Sequence, residues 1–317
     1  MVRGARHSES LSFLNGGWHN RRYNCQSVFG ICVNLWLKYA VDSGLGNCRS
    51  GSLSRNQATG LAREDTRRYS LIVLVDFVIG GTQKGGTSAL DSFLRQHPQV
   101  CMPETKKELH FFDRAEEDRN YKKYHANFQR NPEHRVLGEA SPIYMYWNTA
   151  PYRIWSYNPQ MKWILVLRNP VERAFSAWNM EVSRGAEQLS FKDAIEHGAE
   201  RCREALPLQH RVYSYIDRGF YASQVRRLFD IFGKANCLVL LNEELRAEHG
   251  KTLRRVFEFL EVDSSATPPA ANVFEHEYDD KIDQELRSRL IDTFYFDIKE
   301  LERMLQRDLS AWYDKGR

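Results

Sequence analysis

Between about residue 71 and the C-terminus, short continuous apolar runs alternate with stretches in which apolar residues recur every three or four positions. Leu71–Ile79 is a near-continuous apolar run closed by Gly80 and Gly81, the pattern of a parallel strand covered on both faces. The next stretch, Ser88–Arg95, places Ala89, Leu90, Phe93 and Leu94 on one helical face, and His97-Pro98 stops it. Val136–Glu139 reads as a short strand and Met161–Leu167 as a stronger one. The latter runs into Asn169-Pro170-Val171-Glu172, a helix start with Asn as cap, Pro in the first turn and Glu at the third helical position. Cys237–Leu241 is another buried strand, followed by Leu253, Val256, Phe257 and Leu260 at helical spacing. A long C-terminal helix carries Ile282, Leu286, Leu290, Phe294, Ile298, Leu301 and Leu305. Strands alternating with helices predict an α/β fold, a central parallel sheet flanked by helices in three layers, with ligands at the carboxyl ends of the strands.

Residues 1–70 break this pattern. They are rich in Gly, Ser, Asn and Arg and show no sustained period. We expect a poorly ordered or atypical leader there, or a start placed too far upstream, and a single domain over 71–317. The run Ser27–Val41 is interrupted by Asn34 and Lys38 and falls short of the ~18–20 apolar residues of a membrane span. It also begins too late to read as a secretory signal. The expectation is a soluble, cytoplasmic protein without a transmembrane segment, or one in the Golgi lumen if an anchor is missing from this chain.

Composition narrows the class without naming it. A 42% hydrophobic fraction and 12% aromatics in 317 residues suit a globular chain with ample core. A net charge of +4 gives too little reason to expect nucleic acid, but it suits an anionic ligand. The cysteines Cys25, Cys32, Cys48, Cys101, Cys202 and Cys237 show no metal spacing and read as reduced thiols.

The chemistry concentrates where strand meets helix at 76–90. Gly80, Gly81, Gly85 and Gly86 allow a sharp turn, Lys84 sits within it, and the helix that follows offers unpaired N–H groups. Backbone N–H groups of Gly85, Gly86, Thr87 and Ser88 are expected to wrap a phosphate, with Lys84 as the cation on it. The Gly-Lys-Ser/Thr order that places a hydroxyl on Mg²⁺ in nucleotide loops is missing, because Gly86 precedes Thr87. That argues for a nucleotide held without the usual metal.

Three segments carry a family resemblance. Gln83-Lys-Gly-Gly-Thr-Ser-Ala-Leu90 resembles the 5′-phosphosulfate loop of sulfotransferases, which use 3′-phosphoadenosine 5′-phosphosulfate. Ile164–Ser176 resembles their 3′-phosphate element, and Lys107-Glu-Leu-His-Phe-Phe-Asp113 resembles the catalytic segment of the heparan sulfate branch. They occur in the family's order, and the likeness runs from about Leu71 to Tyr313. The resemblance implies a P-loop-like fold and transfer of a sulfonate group to a hydroxyl or amine by in-line attack, with no metal. It further implies a carbohydrate, glycolipid or small hydroxyl acceptor.

On that reading Lys84 stabilises the departing nucleotide, and Arg168 with Ser176 holds the second phosphate. Pairing of Arg168 with Glu172 is the structural alternative. Glu108 is the expected base, with His110 as its rival, since other sulfotransferases use histidine and the two-residue spacing does not separate them. Lys106 and Lys107 could hold an anionic acceptor. Arg218-Gly-Phe-Tyr221 resembles a segment before a helix lining the nucleotide site, although Tyr221 also suits core packing. The same choice between sugar stacking and packing applies to Tyr144, Tyr146, Trp147, Tyr152 and Trp155.

Two departures from the family pattern stand out. Ala140 occupies the place of a lysine, with Glu139 beside it as a candidate acceptor contact, and residues 272–281 are acidic where a basic nucleotide loop is common. They keep two rivals in view, a P-loop kinase or NTPase and an inactive nucleotide-binding scaffold.

Overall fold

The chain forms strands β1 (Phe77–Gly81), β2 (Val100–Cys101), β3 (Val136–Ala140), β4 (Lys162–Leu167) and β5 (Cys237–Leu241), which lie in the order β2-β3-β1-β4-β5. Every pairing is parallel. The computed structural model describes residues 74–115, 118–269 and 282–315. The expected leader over 1–70, the run Ser27–Val41 and the acidic stretch 272–281 lie outside the described residues.

The inner strand β4, between β1 and β5, shows why the sheet is covered on both faces. Trp163, Ile164, Leu165, Val166 and Leu167 are all fully buried, so there is no solvent face and no alternation to read. Trp163, Leu165 and Leu167 join one apolar cluster and Ile164 and Val166 the other. The first cluster is closed by α4 (Pro170–Ser183), α7 (Tyr221–Phe232) and α10 (Gln284–Leu305) through Val171, Val225, Leu228, Phe294 and Ile298. The second is closed by α1 (Thr87–Leu94) and α9 (His249–Leu260) through Leu90, Phe93, Leu253 and Phe257. Each such side chain, fully removed from water, contributes about 1.5–3 kcal/mol. Between these elements lie α2 (Tyr121–His125), α3 (Ala150–Tyr157), α5 (Phe191–Glu196), α6 (Gly198–Arg203) and α8 (Asn242–Ala247).

The expected helix start at Asn169 is present: its side chain accepts from the amides of Val171 and Glu172, with Pro170 in the first turn. The first strand differs from expectation. It runs over Phe77–Gly81, with Leu74–Asp76 preceding it and residues 71–73 outside the described residues. Both closing glycines are part of it, because their missing side chains make room. A Cβ at Gly81 would lie 1.9 Å from the Met145 sulfur. Among the described residues no helix is long and apolar enough to cross a membrane.

Candidate active site

The carboxyl ends of β1, β3, β4 and β5 converge, and the turn at 82–86 leaves β1 there. Lys84 adopts φ 68° and Gly86 φ 108°, so two left-handed residues fold the turn back on itself. Gly85 is required for a different reason: its Cβ would stand 2.0 Å from the carbonyl oxygen of Val166. Asn242, one residue past β5, donates to the Gly85 carbonyl at 2.8 Å and pins the turn from the far side. The Gly85 N–H donates to the Thr82 carbonyl at 2.9 Å, so this residue shapes the turn instead of offering its amide outward. The cradle expected from four amides therefore rests on Gly86, Thr87 and Ser88. The last two begin α1, where a helix leaves its N–H groups without helical acceptors.

Cations gather around this turn. Burial pushes the Lys84 ammonium below its usual range, and the neighbouring charges of Arg168, Arg184 and Lys107 push it further. A lysine discouraged from carrying its charge by three cations is suited to a densely anionic ligand. Lys107 donates to the Ser88 hydroxyl at 2.8 Å and to Glu108 at 3.3 Å, joining the phosphate turn to the segment after it.

That segment holds both candidate bases. Glu108 lies 3.2 Å from Nε2 of His110, and Nδ1 of the same ring lies 3.1 Å from Asp113. The Asp113 hydrogen bond and then the Glu108 hydrogen bond raise the His110 pKa from 6.5 to about 9 against the effect of burial. Burial acts to raise Glu108, but the His110 hydrogen bond and the Lys107 charge outweigh it and hold the carboxyl below its usual range. Asp113 is likewise held low, by His110 and by Arg211, whose guanidinium reaches it at 2.6 Å. At neutral pH the arrangement is a carboxylate, an imidazolium and a second carboxylate in a row. Glu108 keeps 38% side-chain exposure while the Asp113 side chain has none, so of the two carboxylates only Glu108 is open to solvent.

Arg168 lies at the end of β4 and is partly exposed, while Ser176 is buried within α4. The pairing of Arg168 with Glu172 does not form. Glu172 is bound instead by Arg287 from α10. Tyr221 is fully buried and donates to the Arg168 carbonyl at 2.9 Å, so it supports that strand end from inside. Nearby, Arg218 is buried and reaches the Gln83 side chain at 2.5 Å, tying the Arg218–Tyr221 segment to the phosphate turn.

Tyr144, Tyr146 and Trp147 are packing residues, each less than a tenth exposed. Tyr152 and Trp155 remain at the surface. Glu139 is not an acceptor contact. It is completely buried and accepts hydrogen bonds from Tyr124, Tyr144 and Ser141. Ala140, where the family pattern has a lysine, is fully buried in the second apolar cluster. Sequence reading missed Asp113 as a partner of His110, and missed Arg211 and Asn242 altogether. Asp113 was within reach of it, as an acid three residues from a histidine, but nothing in the pattern brings Arg211 or Asn242 to the site.

Residues 74–297 match the family described as sulfotransferase domain. Human heparan sulfate glucosamine 3-O-sulfotransferase 6 is 32% identical over 215 residues, covering 67% of this chain and 58% of that protein. Human bifunctional heparan sulfate N-deacetylase/N-sulfotransferase 3 is 31% identical over 198 residues, covering 60% of this chain and 22% of that protein. The chain spans about half the length of the first curated relatives it matches, with 58%, 51% and 44% of them covered. Among solved structures, a sulfotransferase from Alicyclobacillus acidocaldarius superposes with a TM-score of 0.67 at 33% identity, covering 76% of this chain and 99% of that one.

Proposed function

Since the chain belongs to the sulfotransferase domain family, we propose that it transfers a sulfonate group from 3′-phosphoadenosine 5′-phosphosulfate to a hydroxyl or amine of a carbohydrate-type acceptor. We assign this activity to a domain spanning 71–317. The observation that carries the reading is Lys107, bonded at once to Ser88, at the start of α1 beside the phosphate turn, and to Glu108. It brings the anion-binding turn and the candidate base into one site.

The residues fit such a nucleotide. Open amides at the start of α1 and the cations Lys84, Lys107 and Arg168 offer the charge it needs, and a Cβ at Gly85 would close the turn. When bound, the nucleotide supplies the sulfonyl group and a phosphate as leaving group. Lys84 neutralises charge on that phosphate. Arg168, with Ser176, holds the second phosphate, and Tyr221 fixes the strand end from which Arg168 projects.

Glu108 accepts the acceptor's proton, and the electrostatics support it over His110. The imidazolium form favoured by two carboxylates has no lone pair with which to act as a base. His110 instead orients Glu108 and balances its charge. The names of the relatives support a heparan sulfate-like glucosaminyl acceptor. Family membership leaves the kinase or NTPase reading without support, and the complete Glu108–His110–Asp113 row speaks against an inactive scaffold.

The test is a calorimetric titration with 3′-phosphoadenosine 5′-phosphate in EDTA, beside ADP. Binding selective for the first, weakened in Lys84→Ala and Arg168→Ala, is expected. Equal affinity for ADP defeats the proposal.

A further inference from the structure

Beneath the candidate base lies a fully buried carboxylate that no step of the proposed transfer uses. Glu139, on β3, receives three hydroxyl donors: Tyr124 at 2.8 Å and Tyr144 at 3.1 Å on Oε1, and Ser141 at 2.8 Å on Oε2. Two of those hydroxyls also accept from the backbone of the catalytic segment. The Ser141 oxygen accepts the His110 N–H at 3.3 Å. The Tyr144 oxygen accepts the Phe111 N–H at 3.0 Å and the Phe112 N–H at 3.4 Å. Each chain thus runs from a catalytic-segment amide through a hydroxyl to one oxygen of the same carboxylate.

The segment needs such a restraint. His110 holds φ 53°, a left-handed conformation that a side-chain-bearing residue keeps only when its surroundings impose it. A hydroxyl has one hydrogen, and donating it to Glu139 leaves its lone pairs facing the amides. The carboxylate therefore sets the polarity of both chains. Tyr124 adds a third donor and stacks its ring on Phe111 at 4.3 Å, so the same residue also packs against the segment.

We propose that Glu139 is a positioning residue, which fixes the backbone at His110–Phe112 through Ser141 and Tyr144 and so sets where Glu108 and His110 stand. Its consequence for transfer rests on the reading of Glu108 and His110 above, whereas the restraint itself does not.

Amide hydrogen exchange resolved by NMR on the full chain, with a titration of the His110 ring, tests this without turnover. Ser141→Ala should raise exchange at His110 about tenfold and spare Phe111, and Tyr144→Phe should do the reverse. Glu139→Gln should raise both and move the His110 midpoint. The proposal is overturned if a folded Glu139→Gln leaves both amides protected, or if exchange rises equally across the five strands. If Glu139→Gln does not fold, selective loss of protection in the two branch variants supports the proposal and its absence overturns it. Titration of each variant with 3′-phosphoadenosine 5′-phosphate separates the two readings. Lost selectivity over ADP in the wild type counts against the sulfotransferase assignment and leaves the restraint standing.

Discussion

Arg211 and Asp113 lie 98 positions apart in the chain and meet at 2.6 Å, with the aspartate side chain fully enclosed and the arginine 46% exposed. A second Arg211 nitrogen donates to the Asp113 carbonyl at 2.8 Å, and its guanidinium lies 4.3 Å over the Trp147 ring. The loop carrying Arg211 therefore clamps the end of the 107–113 segment through charge, backbone and ring at once.

Replacing Asp113 by Asn removes the stronger of the two carboxylate partners of His110. The ring should then titrate well below its present value of about 9. Loss of a charged hydrogen bond of about 1.5–3 kcal/mol predicts a tenfold to hundredfold fall in kcat. Nucleotide affinity should stay within about threefold, since Asp113 has no contact with the phosphate turn. Kinetics together with calorimetry check this, and a matching loss of nucleotide binding would count against it.

Lys84→Ala should weaken nucleotide binding and lower kcat by roughly 10²–10³, the range for removing a group that stabilises developing charge. Lys84→Arg should restore binding more than rate, because a planar guanidinium does not reproduce a compact ammonium in a tight turn. Equal kcat in the alanine variant and the wild type would remove Lys84 from the chemistry.

Arg168 and Glu172 should behave independently. Because Glu172 is held by Arg287, Glu172→Gln should leave nucleotide affinity unchanged and lower stability by about 1 kcal/mol or less. Arg168→Ala should cost affinity without that stability loss. Calorimetric titration and thermal melts of the two variants decide it, and a shared affinity defect would mean that the two residues are coupled after all.

Stability should fall as pH rises from 6.5 to 9. The folded state raises the His110 pKa from 6.5 to about 9, so its contribution is fully present below 6.5 and lost through that window. After allowance for a side chain 32% exposed, the loss is about 2 kcal/mol. Glu139, raised by burial from 4.5 to about 7, adds a loss of the same sign at lower pH. Glu108 and Asp113, held low, lose their contribution only in acid. Melting curves of the wild type and His110→Gln across pH 6–9 check this: the variant should lack the alkaline slope, and an unchanged slope would assign it elsewhere.

Gly85→Ala should reduce stability by about 1–3 kcal/mol, because the new methyl meets a β4 carbonyl that cannot move without its strand. Nucleotide binding should fall with it. Denaturant unfolding with a parallel titration measures both.

The sheet was legible wherever a strand is buried on both faces. Cys237–Leu241 and Lys162–Leu167 stand out as apolar runs, and the cap at Asn169 follows from three adjacent residue types. Val100–Cys101, a two-residue edge strand, leaves no such signal. For the candidate site, Lys84, Glu108, His110 and Arg168 could be proposed from the sequence because each sits at a strand end or in a short motif. Arg211, Asn242 and the hydroxyls around Glu139 were not, since their roles come from contacts between distant segments. Glu139 itself was misread for a related reason. Its side chain is enclosed by Tyr124, Ser141 and Tyr144, and a strand buried from Leu137 to Ala140 gives no alternation from which that could be read.

The first residues of α7 connect the two ends of the fold. The Tyr221 hydroxyl supports the Arg168 carbonyl, 53 positions earlier, while its own amide is held at 2.7 Å by Asp297 of the last long helix, 76 positions later. During synthesis, strand β4 and its arginine leave the ribosome long before that aspartate does. The strand end that carries Arg168 thus acquires its final support only when the C-terminal helix docks. A nascent chain stopped before α10 would carry Lys84, Arg168 and Tyr221 and still lack Asp297, which holds the Tyr221 amide in place.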